Sequence, residues 1–248
     1  MHPEEWIYGL NPVFEAMKAG RRIGKIYLSF GRHERAGQLR DEAKKHGVPL
    51  ETRDVAFFER FPKGHQGVAA RVARKEYLSL DELLVIPERR NEQPLFLILD
   101  GVEDPRNFGA ILRSAEAAGV HGVVIQSRRS ATLGPEATKA SAGAVEHVPV
   151  CMVSNIKNAM REMRKRGIAG VGAETGDYPA VWETDLTGPL ALVIGSEGRG
   201  ARRTVKEHCD IIVTIPMKGK INSLNASVAA GVTLFEILRQ RWIKNKKF

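Results

Sequence analysis

Short apolar runs alternate with longer amphipathic segments through the second half of the chain. The runs "LFLILD", "GVVI", "IAGVGA", "LALVIG" and "IIVTIP" are typical of strands buried on both faces of a parallel sheet. Between them, "FGAILRSAEAAG", "ATKASAGA" and the exposed "NIKNAMREMRKRG" have helical spacing, and "VEHVPVCMV" is strand-like. The alternation predicts an α/β domain with a largely parallel sheet and helices on both faces.

A final helix is predicted from about Asn225 to Trp242. Its apolar residues recur every three or four positions, at Val228, Val232, Phe235, Leu238 and Trp242.

The first 75 residues predict a smaller α/β domain. Strands are expected at "KIYLS", "PLETR" and "GVAARVA", and helices at "LNPVFEAMKAG", "ERAGQLRDEAKKHG" and "VAFFERF". In the first helix, Asn11 is the predicted N-cap and Pro12 the first helical residue. Residues 76–94 are charged and rich in proline, so we predict a linker there, with "LDELL" apolar enough to dock. The predicted domains are therefore residues 1–75 and 95–248.

Composition narrows the class of protein. The 248 residues are 43% hydrophobic and 27% charged, which is ordinary for a globular protein. No apolar run approaches the roughly 18 residues of a membrane span, and the acidic N-terminus does not resemble a signal peptide. We therefore expect a cytoplasmic protein without a membrane partner. Cys151 and Cys209 are expected to be buried free thiols, and no histidine or cysteine cluster predicts a metal site.

The formal net charge of +9 is concentrated in the smaller domain. Residues 1–75 hold 15 Lys/Arg against 9 Asp/Glu, and residues 76–248 hold 23 against 20. This excess favours a polyanionic partner, most often nucleic acid, although a solvated basic surface would give the same numbers. The candidate phosphate contacts are Arg21, Arg22, Lys25, Arg32 and Arg35, with Arg128, Arg129 and Lys139 in the second domain.

Three polar, glycine-containing loops follow predicted strands. They are "DGVEDPRNFGA", "GSEGRGA" and "PMKGKINSLN". Parallel sheets bind ligands beyond the carboxyl ends of their strands, so these loops are expected to converge on one site. Neither the GxGxxG fingerprint of dinucleotide enzymes nor a phosphate-binding GxxxxGK[ST] loop is present, which argues against a nicotinamide-linked enzyme.

Three longer motifs carry a family resemblance. "NFGAILRSAEAAGV", "LVIGSEGRGA" and "IPMKGKINSLNASVAAGVTLFEILRQR" resemble, in order and position, the signature motifs of the SpoU (TrmH) family of RNA ribose 2′-O-methyltransferases in the SPOUT superfamily. The resemblance implies a C-terminal trefoil knot that binds S-adenosylmethionine, and a homodimer. It also implies an N-terminal RNA-binding domain similar to a ribosomal protein.

The resemblance also implies site residues. The catalytic positions it matches are Asn107, Arg113, Glu197, Ser223 and Asn225. The cofactor positions are Gly195, Ser196, Ile215, Pro216, Met217 and Leu224. Each polar residue has a structural alternative: Arg113 could pair with Glu116, Glu197 could be a solvated loop carboxylate, Asn107 could cap the helix that follows, and Ser223 and Asn225 could cap the last helix.

Within the family, the chain is most similar to the ribosomal RNA guanosine methyltransferases of the RlmB type. That likeness implies methylation of a 23S ribosomal RNA guanosine in the loop that binds peptidyl-tRNA. A transfer RNA ribose methyltransferase is the alternative within the class. A non-catalytic RNA-binding factor for ribosome assembly is the alternative outside it.

Overall fold

A computed structural model describes residues 4–30 and 36–245, and its first unit is a four-stranded sheet. The strands are β1 (Glu4–Tyr8), β2 (Ile23–Ser29), β3 (Leu50–Arg53) and β4 (Val68–Ala73), and the helices are α1 (Leu10–Lys18), α2 (Ala36–Lys45) and α3 (Val55–Phe58). The sheet order is β1-β4-β2-β3, with β2 and β3 parallel and the other pairs antiparallel. Helices α1 and α2 pack on one face around Ile7, Ile26 and Val72.

Two details of this unit differ from the prediction. Strand β1 was not predicted, because a five-residue segment that begins with two glutamates gives little hydrophobic signal; pairing with β4 stabilises it. The prediction that Asn11 caps α1 is wrong, since the helix already begins at Leu10 and Gly9 is the N-cap residue. Gly9 has a φ of 100°, a conformation that favours glycine.

The segment between the two units is more ordered than an extended linker. It contains α4 (Leu80–Leu84) and α5 (Ile86–Arg90). Ser79 and Glu82 form a capping box at the start of α4, which satisfies two backbone N–H groups. Leu83 and Leu84 are buried, and Leu83 packs directly on Gly122 of the second sheet. The expectation that "LDELL" docks is confirmed.

The second unit is a six-stranded sheet whose strand pairs are all parallel. Its strands are β5 (Leu95–Asp100), β6 (Gly122–Gln126), β7 (Val150–Val153), β8 (Ala169–Ala173), β9 (Leu190–Gly195) and β10 (Ile211–Val213). Its helices are α6 (Pro105–Ala117), α7 (Pro135–Ala140), α8 (Ile156–Lys165), α9 (Arg203–Lys206) and α10 (Ala226–Asn245). The order is β10-β8-β9-β5-β6-β7, so β5 and β9 are central.

The core of this unit is divided by the sheet, as the apolar runs predict. Leu97 and Leu99 face α6 and α10 on one side. Phe96 and Ile98 face α4 and α8 on the other. Burying strands on both faces explains why β5 and β9 are continuously apolar.

Helix α10 has two apolar faces, of which only one is buried. Ala230, Leu234 and Ile237 pack against the sheet and α6. The residues whose spacing predicts the helix lie mainly on the opposite side: Val228, Val232, Phe235 and Trp242 are between 40% and 48% exposed. We call these four residues the α10 stripe.

A buried ion pair, Arg21–Glu146, joins the two units. Arg21 donates to Glu5 at 2.5 Å and to Glu146, in the 3-10 turn before β7, at 2.6 Å. The side chains of Arg21 and Glu146 are only 8% and 2% exposed. Nearby, the Lys75 ammonium donates to the carbonyl of Val145. The contact between the units is therefore specific and charge-paired.

Burial lowers the pKa of Lys75 to about 8, although Glu146 opposes the shift. A lysine whose pKa is lower in the folded than in the unfolded protein costs stability below the folded pKa, and this cost disappears as the pH rises. Replacing Lys75 with methionine should therefore stabilise the protein more at pH 7 than at pH 9.5, by about 2 kcal/mol. Urea unfolding of both proteins at the two pH values measures this difference. An equal effect at both pH values would show that Lys75 is not buried in its charged form.

Both cysteines are free, but only Cys151 is fully buried; Cys209 is partly exposed. Burial raises the pKa of Cys151 to about 11 and that of Cys209 to about 12. Neither thiol is therefore activated as a nucleophile at neutral pH. Across residues 4–30 and 36–245, no helix combines the length and apolarity that a membrane span requires.

Candidate active site

The three polar loops converge at the carboxyl edge of the second sheet, as predicted. Asn107 lies at the start of α6, Glu197 follows β9, and Asn225 precedes α10. The Asn107 amide donates to Glu197 Oε1 at 2.9 Å, and the Asn225 amide donates to Asn107 Oδ1 at 3.1 Å and to the same Glu197 oxygen. These side chains are up to 118 positions apart in sequence, so the fold itself assembles this polar cluster.

Capping explains only part of these positions. Asp104 caps α6 by accepting from the backbone N–H of Arg106, and Pro105 starts the helix, so the alternative that Asn107 is the N-cap is wrong. Asn225 has both roles. Its Oδ1 accepts from the backbone N–H of Ser227 at 2.8 Å while its amide reaches Glu197. One side chain therefore links the start of α10 to the loop after β9.

Two buried carboxylates hold the loop after β9. Asp100, at the end of β5, accepts from the backbone N–H and the Nε of Arg202, both at 2.7 Å. Glu174, directly after β8, accepts from the backbone N–H of Ala201 at 2.7 Å. Gly200 lies against Glu174 with a φ of +65°, so a side chain there would be strained and would clash.

Sequence reasoning missed Glu174, which follows the carboxyl end of a fourth parallel strand. Its position after a parallel strand is the sequence signal that could have identified it as a site residue. Asp100 lay inside a predicted loop segment but was not singled out.

The Asp100→Asn substitution tests this arrangement. It keeps the shape of a buried side chain but removes its charge, and an amide nitrogen would face the Arg202 donors. We expect a loss of about 2–3 kcal/mol in unfolding free energy, because hydrogen bonds to charged groups are each worth about 1.5–3 kcal/mol. Urea denaturation measures it, with the exposed Glu103→Gln in the same loop as control. Equal stability of the two variants would contradict the assigned role of Asp100.

One cavity beside the cluster, of about 250 Å³, gathers most of the predicted cofactor residues. Its walls include Ile215, Met217 and Leu224 from the last loop, with Gly195 and Ser196 from the end of β9. Ser223 also lines it, next to Leu224, whereas Pro216 is not among its lining residues. Apolar side chains beside polar backbone and several polar or charged side chains suit a nucleoside-like ligand, which has a flat ring and hydrogen-bonding groups.

A second cavity, of about 590 Å³, lies on the other side of Glu197 and is basic. Six cationic side chains line it, against four carboxylates, of which Asp100 is already paired with Arg202. The cationic residues are Arg128, Arg129, Arg199, Arg202, Arg203 and Lys206. Arg128 and Arg129 are thus brought next to Asn107, where an anionic ligand would be attracted.

Arg113 lies apart from this cluster. It follows Asn107 by six helical positions, which places it about 9 Å along α6 and about 120° around it. Its side chain is exposed, and among the residues that the structure describes no carboxylate pairs with it. The alternative of an ion pair with Glu116 is therefore not supported.

The predicted RNA-binding residues of the first unit fall into three groups. Arg21 is buried in ion pairs with Glu5 and, across the units, with Glu146, so we do not propose it as a phosphate contact. Arg22 is exposed and Lys25 is half-exposed beside Glu51, while Arg32 and Arg35 lie outside the described residues. Lys139 of the second unit lies against Gly9 and Gly64, where burial lowers its pKa.

Comparison with known proteins agrees with this geometry. Residues 94–235 match the family model of the SpoU rRNA methylase family, and residues 6–78 match that of the RNA 2′-O ribose methyltransferase substrate-binding domain. These two matches span the larger and the smaller unit.

Full-length relatives are similar along nearly the entire chain. The 23S rRNA (guanosine-2′-O-)-methyltransferase RlmB of Pseudomonas putida is 41% identical, over 97% of this chain and 98% of its own. YacO of Bacillus subtilis, named for the TrmH family of tRNA/rRNA methyltransferases, is 44% identical over 96% of both chains. The SpoU methyltransferase AviRb of Streptomyces viridochromogenes, solved with AdoMet, superimposes with a TM-score of 0.80 at 27% identity, over 96% of this chain and 90% of its own. The chain therefore belongs to the SpoU rRNA methylase family.

Proposed function

We propose that this protein transfers a methyl group from S-adenosylmethionine to the 2′-hydroxyl of a guanosine in 23S ribosomal RNA. The observation that carries the proposal is the cluster of Asn107, Glu197 and Asn225 between two cavities. One cavity has the lining of a nucleoside site and the other is basic enough for an RNA backbone. The name of the RlmB relative, at 41% identity over nearly the full length, supports the guanosine target.

The smaller cavity fits the proposed cofactor. Ile215, Met217 and Leu224 supply apolar contact for an adenine ring, and the backbone around Gly195 supplies hydrogen-bonding groups. Glu174 and Glu197 line the cavity together with Arg199 and Lys206, and Lys206 lies 3.5 Å from Glu174, so Glu197 is the carboxylate left to face the positive sulfonium. When bound, S-adenosylmethionine supplies an electrophilic methyl group. Pro216 is kept in the proposed site only as a neighbour of Ile215 and Met217.

The residues of this chain then have to orient a ribose and assist the loss of its 2′-hydroxyl proton. Glu197 and the two asparagines are held by one another, so their remaining hydrogen-bonding capacity is pre-oriented toward the cavities. Ser223 offers a hydroxyl at the rim of the cofactor cavity. Since a guanidinium group is a hydrogen-bond donor and not an acceptor, Arg113 is assigned to stabilising the negative charge that develops on the 2′ oxygen and an adjacent phosphate, and the 2′ proton passes to solvent water or to that phosphate.

We also propose that the protein is a homodimer through the α10 stripe. Val228, Val232, Phe235 and Trp242 form an apolar surface on α10, which packs beside α6, where Gly231 lies close to Ser114. In α6, the residue before Ser114 is the exposed Arg113, and the residue after Ser114 is buried. A partner subunit on this face would cover the stripe and lie near Arg113. Asn107 of the same chain, by contrast, lies away from Arg113.

The C-terminal trefoil knot is likewise proposed. In its support, the backbone of residues 179–181 pairs in parallel with Thr214, so an earlier segment lies alongside the chain just after β10. The chain then runs through the loop 215–225 into α10. We place the reaction in the cytoplasm, where the proposed ribosomal RNA substrate is made in bacteria such as those of the relatives.

Two measurements test the proposal. Calorimetry should detect binding of S-adenosylmethionine and none of NAD. Mass-spectrometric mapping of ribose methylation, with and without the gene, should show one guanosine of 23S ribosomal RNA losing its methyl group. Loss at a transfer RNA ribose would instead support the tRNA enzyme, and unchanged methylation with intact RNA binding would support a non-catalytic factor.

A further inference from the structure

The sheet of the N-terminal unit has one covered face and one incompletely covered face. Helices α1 and α2 bury the first. Among the described residues, α3 and the residues after it pack on the strands of the second face, and α7 contacts β1. The fully buried members of this cluster are Tyr8, Phe58 and Ala69. The other aromatic side chains there are partly exposed: Trp6, Tyr27, Phe57 and Phe61. We call these four residues the aromatic face.

The rings of the aromatic face form one continuous surface. Tyr27 stacks on Phe57 with centroids 4.8 Å apart, Trp6 lies 5.2 Å from Phe61, and Trp6 lies 5.4 Å from Tyr27. Ala69 stands between Tyr8 and Tyr27 in the strand register and is fully buried beneath the surrounding rings. The partly exposed surface of this face is therefore made of flat rings.

Cations surround these rings. The Arg60 guanidinium lies 4.0 Å from the centroid of Phe57, and Arg71 lies 5.8 Å from that of Trp6. Arg53 also lies over Phe57, at 5.6 Å, and Lys25 is next to Arg71 in the strand register. Arg71 pairs with Glu4, and Arg53 and Lys25 both pair with Glu51, so these four cations exceed their two carboxylate partners by two charges.

We propose that the aromatic face is a stacking platform for unpaired bases of the RNA substrate, with Arg53, Arg60 and Arg71 contacting the flanking phosphates. Every base has a flat π-face that can stack on an aromatic ring, and its phosphates require nearby cations. This inference rests on the proposed RNA substrate and names the part of it that the N-terminal unit recognises. It assigns unpaired rather than double-helical RNA, because paired bases cannot reach a sheet surface.

A structural role for the rings alone does not account for their exposure. Phe58 is an example of a purely structural ring in this cluster, because it is only 1% exposed and stacks against His65. Its neighbour Phe57 belongs to the same short helix but is only partly buried, with the flexible end of the Arg60 side chain over its ring. These adjacent residues separate a packing role from a binding role.

The first experiment compares Phe57→Leu with Phe58→Leu in the full-length protein. Binding of a short single-stranded oligoribonucleotide and of its duplex is measured by fluorescence anisotropy. Phe57→Leu should weaken single-strand binding roughly tenfold while the slope of affinity against salt stays unchanged, since no phosphate contact is removed. Phe58→Leu should lower the melting temperature more and the affinity less. Equal affinity losses in the two variants, or no loss in Phe57→Leu, would overturn the proposal.

A second measurement needs no change in the aromatic face. In the Trp182→Phe, Trp242→Phe double variant, Trp6 is the remaining tryptophan. Single-stranded RNA should quench its fluorescence and duplex RNA should not. No quenching, or equal quenching by both, would overturn the platform and would leave a protein partner as the occupant of this face.

Methyl incorporation into ribosomal RNA separates this inference from the proposed function. If the wild-type protein methylates ribosomal RNA but Trp6 is not quenched, only the platform is rejected. If Trp6 is quenched but no methyl transfer occurs, the platform stands and the proposed activity fails.

Discussion

Replacing Arg113 with lysine is expected to slow methyl transfer by about 10²-fold or more, while the affinity for S-adenosylmethionine stays near that of the wild type. Lysine keeps the positive charge but loses the planar group that can donate to a phosphate and to the 2′ oxygen together. The cofactor cavity should be unaffected, because Arg113 is not among the residues that line it.

Single-turnover kinetics on ribosomal RNA, with calorimetry for the cofactor, measures both quantities. Arg161→Lys is the matched control, since it is also an exposed helical arginine but lies on α8, on the opposite side of the sheet. If Arg113 were only a surface residue, its replacement would cost less than about 0.5 kcal/mol of stability and leave the rate alone. A wild-type rate in Arg113→Lys would reject the catalytic assignment.

The Phe235→Glu variant is expected to dissociate the dimer and to abolish methyl transfer without unfolding the chain. Phe235 is 48% exposed in the single chain, so a carboxylate there remains solvated in the monomer but would be buried in the dimer. A central aromatic contact of this kind is typically worth about 2 kcal/mol or more, which is roughly thirtyfold or more in the dimer dissociation constant.

Light scattering after size-exclusion chromatography measures the oligomeric state. Val55→Glu, at an apolar position that is 66% exposed on the N-terminal unit, is the control and should remain dimeric. If Arg113 acts on the site of the partner, mixing the Arg113→Lys and Asn107→Ala proteins should restore part of the activity, because one site of each mixed dimer is then intact. A dimeric and active Phe235→Glu would show that the α10 stripe is not the interface.

The α10 stripe illustrates what a hydrophobic pattern can predict. The spacing of Val228, Val232 and Phe235 correctly predicts a helix, since both a core face and an interface face repeat every three or four residues. It does not reveal which face is buried in the chain. On the buried face, Leu234 and Ile237 are large and apolar, but Ala226, Ala230 and Thr233 are small or polar, so this face gives a weaker sequence signal.

The candidate site, like α10, could be predicted from the sequence only in part. The apolar runs of β5, β9 and β10 located the three loops, and parallel topology predicted that they converge. The supporting carboxylates were less accessible to sequence reasoning. Asp100 and Glu174 look like ordinary loop acids in the sequence, and only the fold shows that their partners are backbone N–H groups of residues 201 and 202.

The charged contact between the two units fixes the distance between their proposed binding surfaces. Arg21, Glu5 and Glu146 are buried together, so the N-terminal sheet is anchored on the second unit and does not swing on a free tether. With a flexible tether, one unit could find its ligand after the other had bound. Two anchored units lose less conformational entropy on binding, but they can bind their ligands only at one distance from each other. If both units bind RNA as proposed, this fixed separation selects an RNA whose folded shape holds the segment bound by the N-terminal unit and the target ribose at the matching distance.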